Sequence, residues 1–243
     1  MTTLWGFVQA RMASTRLPGK VLRDLAGKPL VWHITDRLRR VPGLDGIVIA
    51  TTTARENDAL EDFAREGAFA VYRHEGEDDI AGRLAGAARL VGADAFLKVN
   101  GDCPLVDPEI LTRLVSRFAS EGSLDYVSNK VVWTYPIGLS AEVIGTRAMD
   151  WCDERLTSLT DREHVTDWIR DHREHFAVAS IECDRDLSHH HWAVDTETDF
   201  AFARRIFAQL YVDGGCFGMQ DVLDVIDQSL QEADPARRRD LSG

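Results

Sequence analysis

With 243 residues, 44% hydrophobic and 28% charged, the chain is long enough to bury one sizeable core. A formal net charge of −12 excludes a general nucleic-acid or membrane-surface binder, and no apolar run reaches the roughly 18 residues that a membrane span needs. The four cysteines, Cys103, Cys152, Cys183 and Cys216, are widely spaced with no C-x-x-C pair. With no signal peptide ahead of the first apolar run, they are expected to be reduced, packed thiols of a cytoplasmic protein, not a zinc site.

In chain order, the apolar run at 4–8 opens a strand over 4–10, which empties into the segment QARMASTRLPGK, residues 9–20. The spacing of Leu30, Ile34, Leu38 and Val41 predicts a helix over 30–41. GIVIAT at 46–51 reads as a second strand, 55–66 as a helix stopped by Gly67, and 68–72 as a third strand. A helix over 78–91 ends at Gly92, and a fourth strand covers 95–99. Asp107 and Pro108 suit the cap and first position of a helix running to about residue 119. A fifth strand follows at 124–128. This alternation implies an α/β fold, a mostly parallel twisted sheet with helices on both faces.

Beyond Asn129 the rhythm changes. Residues 131–145 read as hairpin and loop, punctuated by Pro136 and Gly138. Helices are expected at 148–155 and 162–172, a strand at 176–182, and a short strand at 190–194 leading to Asp195. Helices at 200–211 and 219–230 follow, and the last residues, 235–243, are expected to fray. No repeat or long linker divides the chain, so 1–243 is expected to be one domain, with 131–175 as an insertion in its second half.

Three loops carry the chemistry. Arg11, Arg16 and Lys20 lie close together with Ser14, Thr15, Pro18 and Gly19 directly after a buried strand. Arginine grips phosphate oxygens with a planar fork and lysine adds a point charge, so this loop suits a polyphosphate. In open α/β sheets ligands sit outside the carboxyl ends of the strands. The loop after the fourth strand, Asn100-Gly101-Asp102-Cys103-Pro104-Leu105, occupies such a position. There Gly101 permits an unusual backbone angle, and Pro104 stiffens the exit behind the Asp102 carboxylate. The third segment, Val194 to Asp199, puts acids before a helix. Asp195 is either a helix N-cap or, paired with Asp102 beside bound phosphates, a magnesium ligand.

Other motifs are missing: no Walker A loop, no G-x-G-x-x-G, no G-x-S-x-G and no H-E-x-x-H. His189-His190-His191 would point alternately to opposite faces of an extended segment, so packing or surface roles suit them better than chelation.

QARMASTRLPGK, NGDCPL, REHVT and VDTETDF, in that order, resemble the cytidylyltransferase family, most of all its spore-coat-polysaccharide type. The segment Asp78-Asp79-Ile80-Ala81-Gly82-Arg83 and the stretch Tyr135-Pro136-Ile137-Gly138-Leu139 before Glu142 add to it, so the resemblance spans about residues 5–202. It implies a nucleotide-diphospho-sugar-transferase-like fold that uses CTP and magnesium. CMP would pass to an acidic sugar or related acid, with release of pyrophosphate.

By position, Arg11, Arg16 and Lys20 would bind the triphosphate and Asp102 and Asp195 the Mg2+. Ala10 and Met12 through their backbones, with Ser14, Thr51, Thr52 and Arg83, would complete the nucleotide site. A carboxylate on the acceptor would meet Lys130, Arg162 or His164. A homodimer is implied, with 131–175 contributing to it and to the acceptor site. Two departures bear on the acceptor: His189-His190-His191-Trp192 stand where relatives carry an arginine, and 78–83 is looser than the family's Asp-Val-Leu form. The alternatives are a UTP- or GTP-dependent sugar-phosphate nucleotidylyltransferase, a sugar transferase releasing no pyrophosphate, and a non-catalytic nucleotide-binding protein on the same scaffold.

Overall fold

Val8, Val48, Ile49, Phe96 and Leu97 lose all access to solvent. A strand of this kind must be covered on both faces, which only a central strand of an α/β sheet can be. The computed structural model, which describes residues 2–233, builds its core on these strands. β1 (Leu4–Gln9) pairs in parallel with β4 (Gly46–Thr52) and with β6 (Ala95–Asn100). β5 (Ala70–His74) adds beyond β4, again in parallel. Next to β6 lies β8 (Ala141–Gly145), antiparallel both to β6 and to β7 (Tyr126–Ser128). β9 (Val178–Ser180) closes the edge, parallel to β7. The order is β5-β4-β1-β6-β8-β7-β9.

Helices cover both faces. α1 (Leu30–Arg39), α2 (Asp58–Glu66), α4 (Pro108–Ser120), α8 (Glu197–Leu210) and α9 (Met219–Ala233) supply one apolar layer. α3 (Ile80–Val91), α5 (Thr146–Arg155) and α7 (Val165–Asp171) supply the other, where Phe7 stacks on Phe96 at 4.4 Å. The chain winds from β1 outward through β4 to β5, then crosses back to β6 on β1's other side. The order therefore reverses between β1 and β6, the position at which such sheets bind ligands. Among the described residues no helix is long and apolar enough to cross a membrane.

Several boundaries differ from the sequence expectation, each for a local reason. The helix of 55–66 begins with a single 3-10 turn, Arg55–Asn57. The third strand starts at Ala70 because Ala68, at φ 54°, turns the chain after α2. α3 starts at Ile80 because the Asp79 side chain caps it, accepting from Gly82 N at 3.0 Å. Helix 162–172 breaks at His164 into α6 (Leu159–Glu163) and α7. No hairpin forms within 131–145: that stretch holds one strand, β8, which starts at Ala141 and pairs back onto β7, ahead of it in the chain.

Residues 190–194 form no strand. Their one bridge joins His191 to Ile137, and Trp192, Ala193 and Val194 are buried. A two-strand hairpin, β2 (Asp24–Leu25) with β3 (Lys28–Pro29), gave no sequence signal strong enough to read. Asp107 does cap α4, accepting from Glu109 N at 2.8 Å, and its other oxygen accepts from Met219 N at 2.6 Å, so one carboxylate caps two helices. The expected fraying at 235–243 lies outside the described residues.

Candidate active site

Where the sheet order reverses, a cavity of about 690 Å³ opens over the carboxyl ends of β1 and β6. The loop after β1 is shaped from within. Met12 O accepts from Ser14 N at 2.9 Å and from Gly19 N at 3.0 Å, and Ser14 Oγ accepts from Leu17 N at 3.3 Å. Leu17 is buried and anchors the tip. Gly19 takes φ 70°, a left-handed turn that glycine adopts without a steric cost, and delivers Lys20 into a 3-10 turn (Lys20–Leu22). Behind the loop, buried Asn57 accepts from Met12 N at 2.8 Å and donates to Thr52 Oγ1 at 2.6 Å. No sequence pattern points to this Asn57 strut.

Gly101 is not in the left-handed region that the sequence suggests. It is glycine for close approach. A Cβ there would lie 2.7 Å from Ala10 Cβ, and Gly101 N donates to Gln9 O at 2.8 Å. The exits of β1 and β6 are thereby pressed together. The third segment is threaded in by backbone bonds: Trp192 N donates to Ile137 O at 2.6 Å and Val194 N to Asp102 O at 2.8 Å. Asp195 does not cap α8. Thr196 does, in a capping box with Asp199.

Asp102 and Asp195 thus meet around one nitrogen. Lys20 Nζ donates to Asp102 Oδ2 at 3.0 Å, Asp195 Oδ1 at 2.9 Å and Val194 O at 2.7 Å. Burial works against charge on both sides of this cluster. Lys20 nevertheless keeps its proton more firmly than a free lysine because Asp102 and Asp195 outweigh that cost, and Asp195 is held below the usual carboxylate range by Lys20 and Arg16. Arg16 reaches Asp195 Oδ2 at 3.1 Å. Cys103, whose thiol burial keeps protonated, donates to Asp102 Oδ1 at 3.3 Å. Arg11 lies across the cavity at 3.2 Å from Glu77.

The family model described as cytidylyltransferase matches residues 5–212 of this sequence. The chain belongs to the cytidylyltransferase family. It is 30% identical over 215 residues to the spore coat polysaccharide biosynthesis protein SpsF of Bacillus subtilis, covering 85% of this chain and 87% of that one. It is 39% identical over 120 residues to the 3-deoxy-manno-octulosonate cytidylyltransferase of Nitratidesulfovibrio vulgaris (strain DP4), a match of 48% of this chain and 46% of that one. Among solved structures, a cytidylyltransferase from Leptospira borgpetersenii superposes with a TM-score of 0.88 at 24% identity, covering 95% and 96% of the two chains. The protein is an enzyme of the nucleotidyltransferase class.

In this cytidylyltransferase the cavity gathers Ala10, Arg11, Ser14, Arg16, Lys20, Arg83, Asp102 and Asp195, but not Met12, Thr51 or Thr52. Met12 has spent its backbone donor and acceptor on holding the loop. Thr52 is buried against Asn57, and Thr51 is fully buried. The two threonines sit behind the cavity lining here, one supporting the loop through Asn57 and one in the core. Arg83 is buried at the cavity wall, donating to Gly76 O at 3.1 Å and Glu77 O at 2.6 Å.

Of the acceptor-side candidates Lys130, Arg162 and His164, only His164, with Glu163 beside it, lines the cavity. Lys130 is engaged with Glu142 at 3.0 Å and Asp167 at 3.3 Å. Arg162 is a brace. Its fork takes both oxygens of Asp79 at 2.8 and 3.0 Å and Asp153 Oδ1 at 2.8 Å, and its remaining donor reaches the Asp153 and Leu156 carbonyls. Burial opposes the Asp79 charge, but Arg162, Gly82 N and His74 outweigh it and hold the carboxyl at about 2. This brace joins the start of α3, which borders the cavity through Ile80, to α6, which ends in Glu163. The neighbouring rings of His189 and His190 lie tilted at 37° with centroids 4.2 Å apart, and no group of three or more metal-ligating side chains occurs among the described residues.

Proposed function

We propose that this cytidylyltransferase moves CMP from CTP to a hydroxyl of an acidic sugar or related acid, releases pyrophosphate, and requires a divalent cation, Mg2+, at Asp102 and Asp195. The observation that carries the reading is the meeting of these two carboxylates, from segments over ninety residues apart, at the mouth of the β1 loop. Carboxylate oxygens are the hard donors that magnesium takes, and two of them leave positions for phosphate oxygens and water. Charge supports a metal as well. Four cations line the cavity, Arg11, Arg16, Lys20 and Arg83, against five carboxylates, Glu77, Asp78, Asp102, Glu163 and Asp195. A triphosphate entering such a site without an added cation would meet no net positive charge.

When bound, the ion supplies neutralisation of phosphate charge and polarisation of a phosphoryl oxygen. The chain's own residues do the rest. Arg11 and Arg16 are 43% and 63% exposed in pairs that cost little to break, so they can exchange a carboxylate for phosphate oxygens. They would then offset the charge of the leaving pyrophosphate. Ser14 and the loop backbone orient the chain of phosphates, and Arg83 stiffens the wall beside it. Phosphoryl-group chemistry of this kind depends chiefly on positioning an in-line attack. Of the acceptor-side candidates His164 opens to the cavity, and we assign its ring N–H to the acid group of the acceptor. The 131–175 region completes the acceptor side and a homodimer contact.

The test is incubation of the protein with CTP, Mg2+ and a panel of acidic sugars and hydroxy acids, with mass spectrometry for CMP adducts and a pyrophosphate assay. A CMP adduct formed with pyrophosphate supports the reading. Turnover with UTP or GTP in preference to CTP, or no adduct with any acceptor, overturns it. Light scattering tests the dimer, and a monomer at working concentration removes that part.

A further inference from the structure

We infer that Lys20 is an internal stand-in for the divalent cation, and that the metal enters only after the triphosphate has drawn the ammonium away. This deepens the reading above and rests on it. A lysine ammonium has three N–H donors, and all three are committed here: to Asp102 Oδ2, Asp195 Oδ1 and Val194 O, at 2.7–3.0 Å. None is left for a phosphate, so Lys20 as it stands cannot grip the nucleotide. The side chain is only 9% exposed, yet it borders the same cavity as the phosphate loop.

The carboxylates are equally committed. Their other oxygens face Cys103 Sγ at 3.3 Å and Arg16 at 3.1 Å. A free divalent ion approaching the pair would meet two positive charges already seated on it.

The triphosphate changes this balance. Its oxygens offer the ammonium and the Arg16 guanidinium a denser negative charge than two aspartates that must also share the metal. Lysine carries its charge on a four-carbon stem, so Nζ can swing toward the phosphates while the 3-10 turn that bears it stays in place. Once it leaves, both carboxylates turn an oxygen toward the incoming ion. Metal and nucleotide then bind cooperatively, and by linkage each raises the other's affinity by the same factor.

The opposing view is that Lys20 is a permanent clamp that keeps two like charges together, and the two views predict opposite signs. Mn2+ binding to metal-free, nucleotide-free protein is followed by electron paramagnetic resonance for wild type and for Lys20→Met. Tightening by roughly tenfold in Lys20→Met supports the stand-in, in line with usual coupling strengths. Unchanged or weaker binding overturns it.

Because Lys20→Met removes a buried counter-charge and can compromise folding, a second measurement uses wild-type protein alone. The hydrogen-bonded Lys20 ammonium is observed by 15N NMR. Millimolar Mg2+ alone should leave its resonance unchanged, and CTP in the presence of chelator should shift or broaden it. A shift with Mg2+ alone overturns the inference, as does CTP binding that moves loop resonances and not Lys20. CTP that moves no resonance anywhere overturns the nucleotide reading on which this one stands.

Discussion

Two ion clusters in this protein are built from the same parts and do opposite things. In each, a lysine ammonium stands between two carboxylates. Lys20 bridges Asp102 and Asp195 on a cavity wall, where Asp102 and Asp195 are 27% and 24% exposed. Lys130 bridges Glu142 and Asp167, and Glu142, only 2% exposed, also has Lys98 at 3.7 Å. The first cluster faces a space that a charged ligand can enter, so each of its pairings can be exchanged. In the second, Glu142 on β8 is closed off beside Lys98 of β6, while Asp167 joins it from the surface of α7 and no member lines the cavity. Burial opposes ionisation of Glu142, but Lys130 and Lys98 outweigh it and hold its carboxyl at about 2. A bordering cavity, not composition, separates a site from a strut.

That contrast can be broken by experiment. The largest effect is expected from Glu142→Ala, which takes from buried Lys98 its carboxylate at 3.7 Å and leaves Lys130 with Asp167 alone. It should cost about 3–5 kcal/mol of folding free energy, read as a lower urea midpoint. Near-wild-type stability would mean that the second cluster is no strut. Next, Asp102→Asn and Asp195→Asn should each lower pyrophosphate release by on the order of 10²–10³-fold while the thermal melt barely moves. A large fall in melting temperature with activity intact would reverse the two roles. Arg16→Ala removes one charged contact, worth at most about 1.5–3 kcal/mol, and should appear mainly as a raised KM for CTP.

The smallest effect is on pH. Glu142 and Asp79 have folded values near 2 against ordinary values of 4.5 and 3.8. Their contribution is therefore complete above about pH 4.5 and drains away as pH falls toward 2. Burial holds His33 and His190 below the ordinary histidine value, so urea midpoints should ease downward as pH falls below about 6.5 and decline more steeply below 4.5. A midpoint with no second decline below pH 4.5 would remove Glu142 and Asp79 from this account.

The parallel half of the sheet was legible because its strands are continuous apolar runs and its helices carry clean stops. Gly92 takes φ 63° at the end of α3, and Asp107 and Pro108 open α4 as their types demand. The cationic loop was legible because three cations in an acidic chain stand out. What stayed hidden is tertiary. Asn57 is an unremarkable polar residue between helical segments, and only the fold brings it under Met12. Arg162 reads as a spare cation until Asp79, 83 residues earlier, takes up its fork. Residues 190–194 have strand composition, but their partners are the irregular backbones at Ile137 and Asp102, so no ladder forms. Thr51 and Thr52 are the last residues of β4, at the ligand-binding end of the sheet, and no local signal says that both are buried.

The bond from Val194 N to the Asp102 carbonyl has a consequence for biosynthesis. Domains emerge from the ribosome amino end first, so the parallel strands and the cationic loop are made long before their partner acid. Until the segment around residue 194 clears the exit tunnel, Asp102 lacks both the backbone tie and Asp195. The nascent chain is thus assembled as a scaffold first, and the cluster of Lys20, Asp102 and Asp195 closes only after a segment over ninety residues beyond Asp102 has been translated.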